Sequence, residues 1–321
     1  MTRRTILSSV SIAAAAAVST KTALAKRTEW RPKLGVLGLY TRANVEFAHA
    51  QGFSNMILSG GLRSDEGVKA VSDSEIEEAK RTLQANNMSV SAFQMTTSHI
   101  DADPAKRAAE NAKFVAAIEV AGKLGVPYIG TTSGKDKSKS FPNQVDEIVR
   151  VYNEKYFRAC ETNHVRILWE PWPDGPNIAT SPVGFEALFR AFDNSPYVGL
   201  QYDPSHLVRQ FMDPIQTARD FVDKIYDVHL KDTEILGPVL RAGGINPVNG
   251  ASWWRYRIPG SGSISWREFF NVLEDVGYAG AMSIEQEDPL YGADNNPGPD
   301  FSEEFKMGFI MAKRYLHQYV P

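Results

Sequence analysis

Along most of the chain, short runs rich in Val, Ile and Leu are each followed by a longer stretch whose apolar residues recur at helical spacing. The runs predict strands at residues 34–37, 55–58, 89–93, 128–130, 165–169, 198–202, 225–230 and 281–284. Between and after them, helical periodicity predicts helices over 44–51, 74–86, 104–124, 142–162, 182–192, 213–222, 265–276 and 301–319. Asp103 before Pro104 and Ser181 before Pro182 read as helix starts, a capping side chain followed by proline in the first turn. Strands that alternate with helices pair in parallel, and eight such units are the count of a single (β/α)8 TIM barrel. A doubly wound sheet is the alternative, but no glycine-rich dinucleotide fingerprint follows the first strand. The longest connection, 232–262, is read as a loop, and its Trp253, Trp254 and Arg255 are expected to cover the barrel mouth.

The first segment breaks this alternation. It carries Arg3 and Arg4, an Ala-rich apolar run and then Ala23-Leu24-Ala25, the pattern of a twin-arginine export signal with Ala25 the last residue removed. Residues 1–25 are therefore expected to be a leader and 26–321 the barrel, in a periplasmic or secreted protein. The apolar run over 6–18 falls short of the ~20 residues that span a bilayer, so no stable membrane anchor is expected. Cys160 is the only cysteine, which excludes an internal disulfide and a cysteine-rich metal site. A net charge of −3 without a Lys/Arg cluster argues against nucleic acid and for a small-molecule partner, and leaves a homo-oligomer open.

In a barrel of this kind chemistry gathers at the carboxyl ends of the strands. The fifth strand, VRILWEPW, ends on Glu170, and the sixth, VGLQYDPSH, ends on Asp203 with His206 one turn later. The seventh, IYDVHLKD, carries His229 and Lys231, and the eighth, AGAMSIEQED, ends on Glu285. Two Glu, one Asp and one His without cysteine form a hard-to-borderline donor set, suited to one divalent ion such as Mn, Mg, Co or Zn. Coordination positions left open would suit sugar oxygens, polarising a carbonyl and stabilising an enediolate. Singly, each residue also fits a turn, a helix cap or a surface ion pair. Their coincidence on four successive strands carries the metal reading.

These motifs resemble those of the sugar isomerase and epimerase superfamily of xylose isomerase-like barrels. The similarity rests on W-E-P at Glu170, Y-D-P-S-H over Asp203 to His206, V-H-L-K-D over 228–232, R-x-P-G-x-G over 257–262 and S-I-E at Glu285. The resemblance implies one divalent metal held by Glu170, Asp203, His229 and Glu285, with Glu170 and Glu285 also removing and returning a proton beside a sugar carbonyl. It implies substrate contacts at His206 and Arg257, with Lys231 a further candidate; Trp172 and His99 are pocket candidates by their place after the fifth and third strands. Asp232 is expected to be structural. Leu230-Lys231-Asp232 stands where ketose 3-epimerases have a glycine-acid sequence, which argues against a simple tagatose or psicose epimerase and for larger or oxidised sugars such as keto-glycosides. A lyase or dehydratase would share the first step and then expel a β-substituent. An endonuclease IV-like hydrolase would need more histidines than the six present, and a non-catalytic sugar-binding barrel would retain the charge repulsion of four ligands without their chemistry.

Overall fold

A computed structural model describes residues 30–62, 71–295 and 298–320; the expected leader lies outside them. The strands are β1 (Lys33–Gly38), β2 (Asn55–Ser59), β3 (Ser89–Gln94), β4 (Tyr128–Thr131), β5 (Arg166–Trp169), β6 (Val198–Tyr202), β7 (Ile225–Leu230), β8 (Asp232–Ile235), β9 (Trp254–Arg257) and β10 (Ala281–Ile284). All but β8 and β9 close into a parallel barrel in the order β1-β10-β7-β6-β5-β4-β3-β2. The eight expected strands are these eight, with ends within one residue.

The helices are α1 (Arg42–Ala50), α2 (Asp73–Ala85), α3 (Pro104–Leu124), α4 (Phe141–Val151), α5 (Phe157–Asn163), α6 (Pro182–Ala191), α7 (Pro204–Val208), α8 (Pro214–Asp220), α9 (Gly237–Gly243), α10 (Trp266–Asp275) and α11 (Glu303–Leu316). Asp103 caps α3 by accepting from the backbone N–H groups of Ala105 and Lys106, whereas Ser181 makes no side-chain cap to α6. The single helix expected over 142–162 is interrupted by a π turn, Tyr152–Tyr156, whose two tyrosines are wholly buried. No described helix is long and apolar enough to cross a membrane.

The connection read as a loop over 232–262 holds an antiparallel hairpin instead, with Thr233 opposite Tyr256 and Glu234 opposite Arg255. Period-two alternation of Trp254 and Tyr256 with Arg255 and Arg257 is the signal that a Gly- and Pro-rich context hides. Asp232 anchors the hairpin: its carboxylate accepts from the N–H groups of Thr233, Gly260 and Ile264 and from Trp266 Nε1 at 2.8–3.1 Å. Gly262 passes so close that a Cβ there would overlap this carboxylate. The P-G-x-G stretch is thus a wrap around a buried acid.

The floor of the barrel is polar. Asn55 donates to Ser91 and Ser283, and Ser91 and Gln201 donate to Asp227. Burial pushes Asp227 up to about 6, against the favourable charge of His229. The apolar core lies between strands and helices, so the barrel lumen is left for groups that serve the rim.

Candidate active site

Neighbouring barrel strands β5, β6, β7 and β10 bring Glu170, Asp203, His229 and Glu285 together, each offering one atom within 4.8 Å of the others. Asp203 splits its roles: Oδ1 caps α7 through Ser205 N at 2.8 Å, while Oδ2 is buried and makes no hydrogen bond, although Lys231 Nζ lies 3.1 Å away. His229 Nδ1 stands 2.9 Å from Glu285 Oε2 and 3.2 Å from Glu170 Oε1, yet neither approach has hydrogen-bond geometry and both ring nitrogens lack partners. Donor atoms this close that do not bond one another are what a shared central ion requires. Three carboxylates and an imidazole also fit a divalent ion of mixed oxygen and nitrogen preference.

Charge is balanced inside the cluster. Burial alone would raise Glu170, but the His206 hydrogen bond and the His229 charge outweigh it and hold the carboxyl well below its usual range. Burial opposes ionisation of Glu285 likewise, and Lys231 and His229 bring it down to about 2. Burial pushes His229 down, yet Glu285 and Glu170 win and hold it well above the ordinary histidine value. A proton on His229 would therefore compete with a metal ion held here, whose binding would strengthen as pH rises.

Lys231 is 1 % exposed, with Nζ 2.7 Å from Glu285, 2.9 Å from Glu287 and 3.1 Å from Asp203. It is thus built into the candidate cluster, with Tyr256 4.4 Å away across its ring face. His206 also touches the cluster, its Nε2 3.2 Å from Glu170 Oε1 and its Nδ1 2.8 Å from Tyr256 Oη. Trp172 stands half-buried on the rim.

Two expected contacts are engaged by other residues. His99 is wholly buried, its ring nitrogens taken by Tyr156 Oη at 2.8 Å and Thr131 Oγ1 at 3.3 Å, and burial lowers it to about 3. It is a neutral core histidine with no atom to offer a substrate. Arg257 makes no ion pair with the cluster; its guanidinium binds Glu234 and Asp288 and fastens the hairpin to the segment after β10. Trp253 stacks on Phe211, while Arg255 pairs with Glu234.

Four residues near the site were not expected. Gln94, one residue past the expected end of its strand, donates to Glu170 Oε2 at 2.5 Å. Bare Gly130 makes room for it: a Cβ there would overlap the amide oxygens of Gln94 and Gln201. Glu287 reaches Lys231 from beyond β10, and Arg209 and Tyr256 approach through the hairpin.

Closed barrel and convergent donors together define a (β/α)8 protein with a candidate divalent-metal centre at its carboxyl rim. The chain belongs to the xylose isomerase-like TIM barrel family, whose model matches residues 45–308. An inosose dehydratase of Clostridium tetani is 24% identical over 255 residues, covering 74% of this chain and 81% of that one. Some other curated relatives align over shorter stretches, in which the chain spans about a third of their length. Among solved structures, a D-psicose 3-epimerase studied in the presence of D-fructose matches with a TM-score of 0.66 at 16% identity, over 90% of this chain and 99% of that one. The IolI protein with a bound zinc atom also gives 0.66 at 16% identity, over 89% and 99%.

Proposed function

We propose that this chain is a divalent-metal-dependent sugar isomerase or epimerase that works through an enediolate formed next to a sugar carbonyl. The observation that carries the proposal is the convergence of Glu170, Asp203, His229 and Glu285 within 4.8 Å, with Asp203 Oδ2 and both His229 nitrogens lacking hydrogen-bond partners. A family whose relatives include an inosose dehydratase and a D-psicose 3-epimerase supports a sugar-processing enzyme. A divalent ion held by these four residues would polarise the carbonyl and offset the charge developing on its oxygen.

The chain supplies the proton transfers. Glu170 and Glu285 come from the two ends of the four-strand arc, so they flank whatever lies between them. Both are held ionised, Glu170 by donors on each oxygen and Glu285 by Lys231. One, ionised, takes the proton from the carbon beside the carbonyl and later releases it to solvent; the other must first take up a solvent proton, which exclusion of water by bound substrate favours, and returns it on the opposite face. Lys231 keeps the crowded carboxylates neutralised, and the hairpin carrying Trp254 and Tyr256 borders the rim on one side.

A second reading, β-elimination from the same enediolate, is favoured by the alignment with inosose dehydratase over most of that protein's length. Incubating metal-loaded protein with ketoses, inososes and 3-keto-glycosides in heavy water, followed by NMR, separates the two. Deuterium in a retained sugar with altered stereochemistry supports epimerisation; loss of water or free aglycone supports elimination. Chelation should abolish either activity and Mn2+ or Co2+ restore it, and full turnover by metal-free protein would refute both. Export belongs to the same proposal, and recovery of a mature chain beginning at Lys26 outside the cytoplasm is its test.

A further inference from the structure

We propose that the barrel lumen beneath Glu170 binds a buried water molecule that donates to Gln94 Oε1 and Gln201 Oε1 together, and that this water fixes Gln94 as the donor to Glu170. Gln94 Nε2 donates to Glu170 Oε2 at 2.5 Å, and Gln201 Nε2 donates to Asp227 Oδ2 at 3.1 Å. A carboxylate thus orients each amide, because an ionised carboxylate only accepts and a turned amide would set oxygen against oxygen. In that orientation both amide oxygens face Gly130 on β4, and both crowd the point where a Cβ would stand closely enough to overlap it. The two oxygens are therefore neighbours; both are buried, and neither accepts a hydrogen bond from the described residues. Gly130 offers them only Cα–H groups, which are weak donors. Two carbonyl oxygens brought together out of solvent cost free energy unless a third group donates to both.

Water is the occupant this chemistry selects. Its two hydrogens match two acceptors, it is small, and a water that joins otherwise unsatisfied buried groups is an ordinary part of a folded domain. A metal cation would call for more oxygens than the two that converge here. The resulting link crosses the lumen from floor to rim. Asn55 donates to Ser91, Ser91 and Gln201 donate to Asp227, the water joins Gln201 to Gln94, and Gln94 holds Glu170. Gln201, whose own hydrogen bond goes to Asp227, acts on Glu170 through the water and Gln94 and is a positioning residue. The functional side of the inference rests on the reading of Glu170 as an ion ligand and proton carrier; the water is observable without that reading.

A high-resolution crystal structure of the intact protein grown with Mn2+ tests the site, with a second crystal soaked in Rb+. The expected result is one density peak at about 2.7–3.2 Å from both amide oxygens, without an anomalous signal from rubidium. A rubidium signal there, a direct hydrogen bond between Gln94 and Gln201, or no peak between the oxygens overturns the proposal. Gln201→Met keeps the length of the side chain and removes one acceptor. It should release the water, turn Gln94 away from Glu170 and weaken Mn2+ binding about tenfold in calorimetric titration, the scale of losing a group that orients a ligand residue. In a Gln94→Leu background the same substitution should weaken binding no further, because both act through one contact, and full additivity would refute the link. Gly130→Ala sets a methyl group against both oxygens and should act in the same direction. Thermal unfolding identifies the folded variants; where one does not fold, the wild-type density and the other variant decide. If wild type binds no Mn2+, the functional reading fails, while the wild-type peak still decides the water and the position of Gln94 in Gln201→Met crystals decides the link.

Discussion

Replacing Lys231 with Met removes a buried ammonium while keeping most of the side chain's bulk, and the geometry sets the sign of two consequences. Nζ lies within 3.1 Å of Asp203, Glu285 and Glu287. Without it, the metal-free protein crowds those carboxylates and Glu170 around His229 as the one remaining cation in contact with the ligand set. Removing one partner of a buried ion pair costs about 3 to 5 kcal/mol. The lower end applies here, because the Glu287 side chain is 44% exposed and keeps part of its hydration. Loading the site reverses part of this loss, since a divalent ion replaces the missing positive charge and no longer has an ammonium beside it. If about 2 kcal/mol is recovered, the variant binds the ion about 30-fold more tightly than wild type.

Urea unfolding followed by tryptophan fluorescence, with chelator and then with saturating Mn2+, measures the stability terms, and calorimetric titration measures the affinity. The expected pattern is a metal-free variant about 3 kcal/mol less stable than wild type that regains most of the difference on loading. A metal-free variant as stable as wild type, or one that binds Mn2+ more weakly, would show that Lys231 does not neutralise the ligand set.

Three further outcomes follow from single side chains. Glu285→Gln should slow proton exchange at the substrate carbon by about 100- to 10,000-fold, the range for loss of a general acid–base group, and wild-type deuterium incorporation would remove Glu285 from the mechanism. Asp232→Ala leaves four buried or part-buried donors without their acceptor, so it should cost about 3 kcal/mol or more and expose the hairpin to limited proteolysis; an uncut hairpin of wild-type stability would contradict the anchor. His99 titrates at about 3 in the fold against an ordinary value of 6.5, so between these values the unfolded chain binds a proton that the folded chain does not. Its contribution is intact above pH 6.5 and falls by about 1.4 kcal/mol per unit as pH drops towards 3. His99→Gln should flatten the acid limb of a stability–pH curve by that slope, and an unchanged limb would place the proton elsewhere.

The barrel was legible because its strands are buried on both faces and therefore carry short continuous apolar runs, as in Met-Ile-Leu at 56–58 and Ile-Leu-Trp at 167–169. Its rim was legible because Glu170, Asp203, His229 and Glu285 interrupt or end those runs at matching places. The hairpin was not, because β8 and β9 pair across a separation of about twenty residues rich in glycine and proline, and such pairing depends on the wrap around Asp232. Tyr256, fifty residues from His206, reaches it only through that pairing.

Residue type and strand-end position also cannot say which polar atoms are already engaged. His99 and Arg257 have the right chemistry near strand ends, yet a shell of Tyr152, Tyr156 and Phe114 encloses the first, and Glu234 and Asp288 engage the second. Gln94 has no charge to mark it and still reaches Glu170, because Gly130 on the next strand leaves the room. Lys231 shows the same effect from the other side: its alternation with His229 puts it near the rim, but three acids from β6 and the segment after β10 turn a candidate substrate contact into a fixed charge of the site. The donor set is therefore local in sequence, whereas the groups that set its protonation come from distant segments, and those segments are where variants should alter chemistry without altering the barrel.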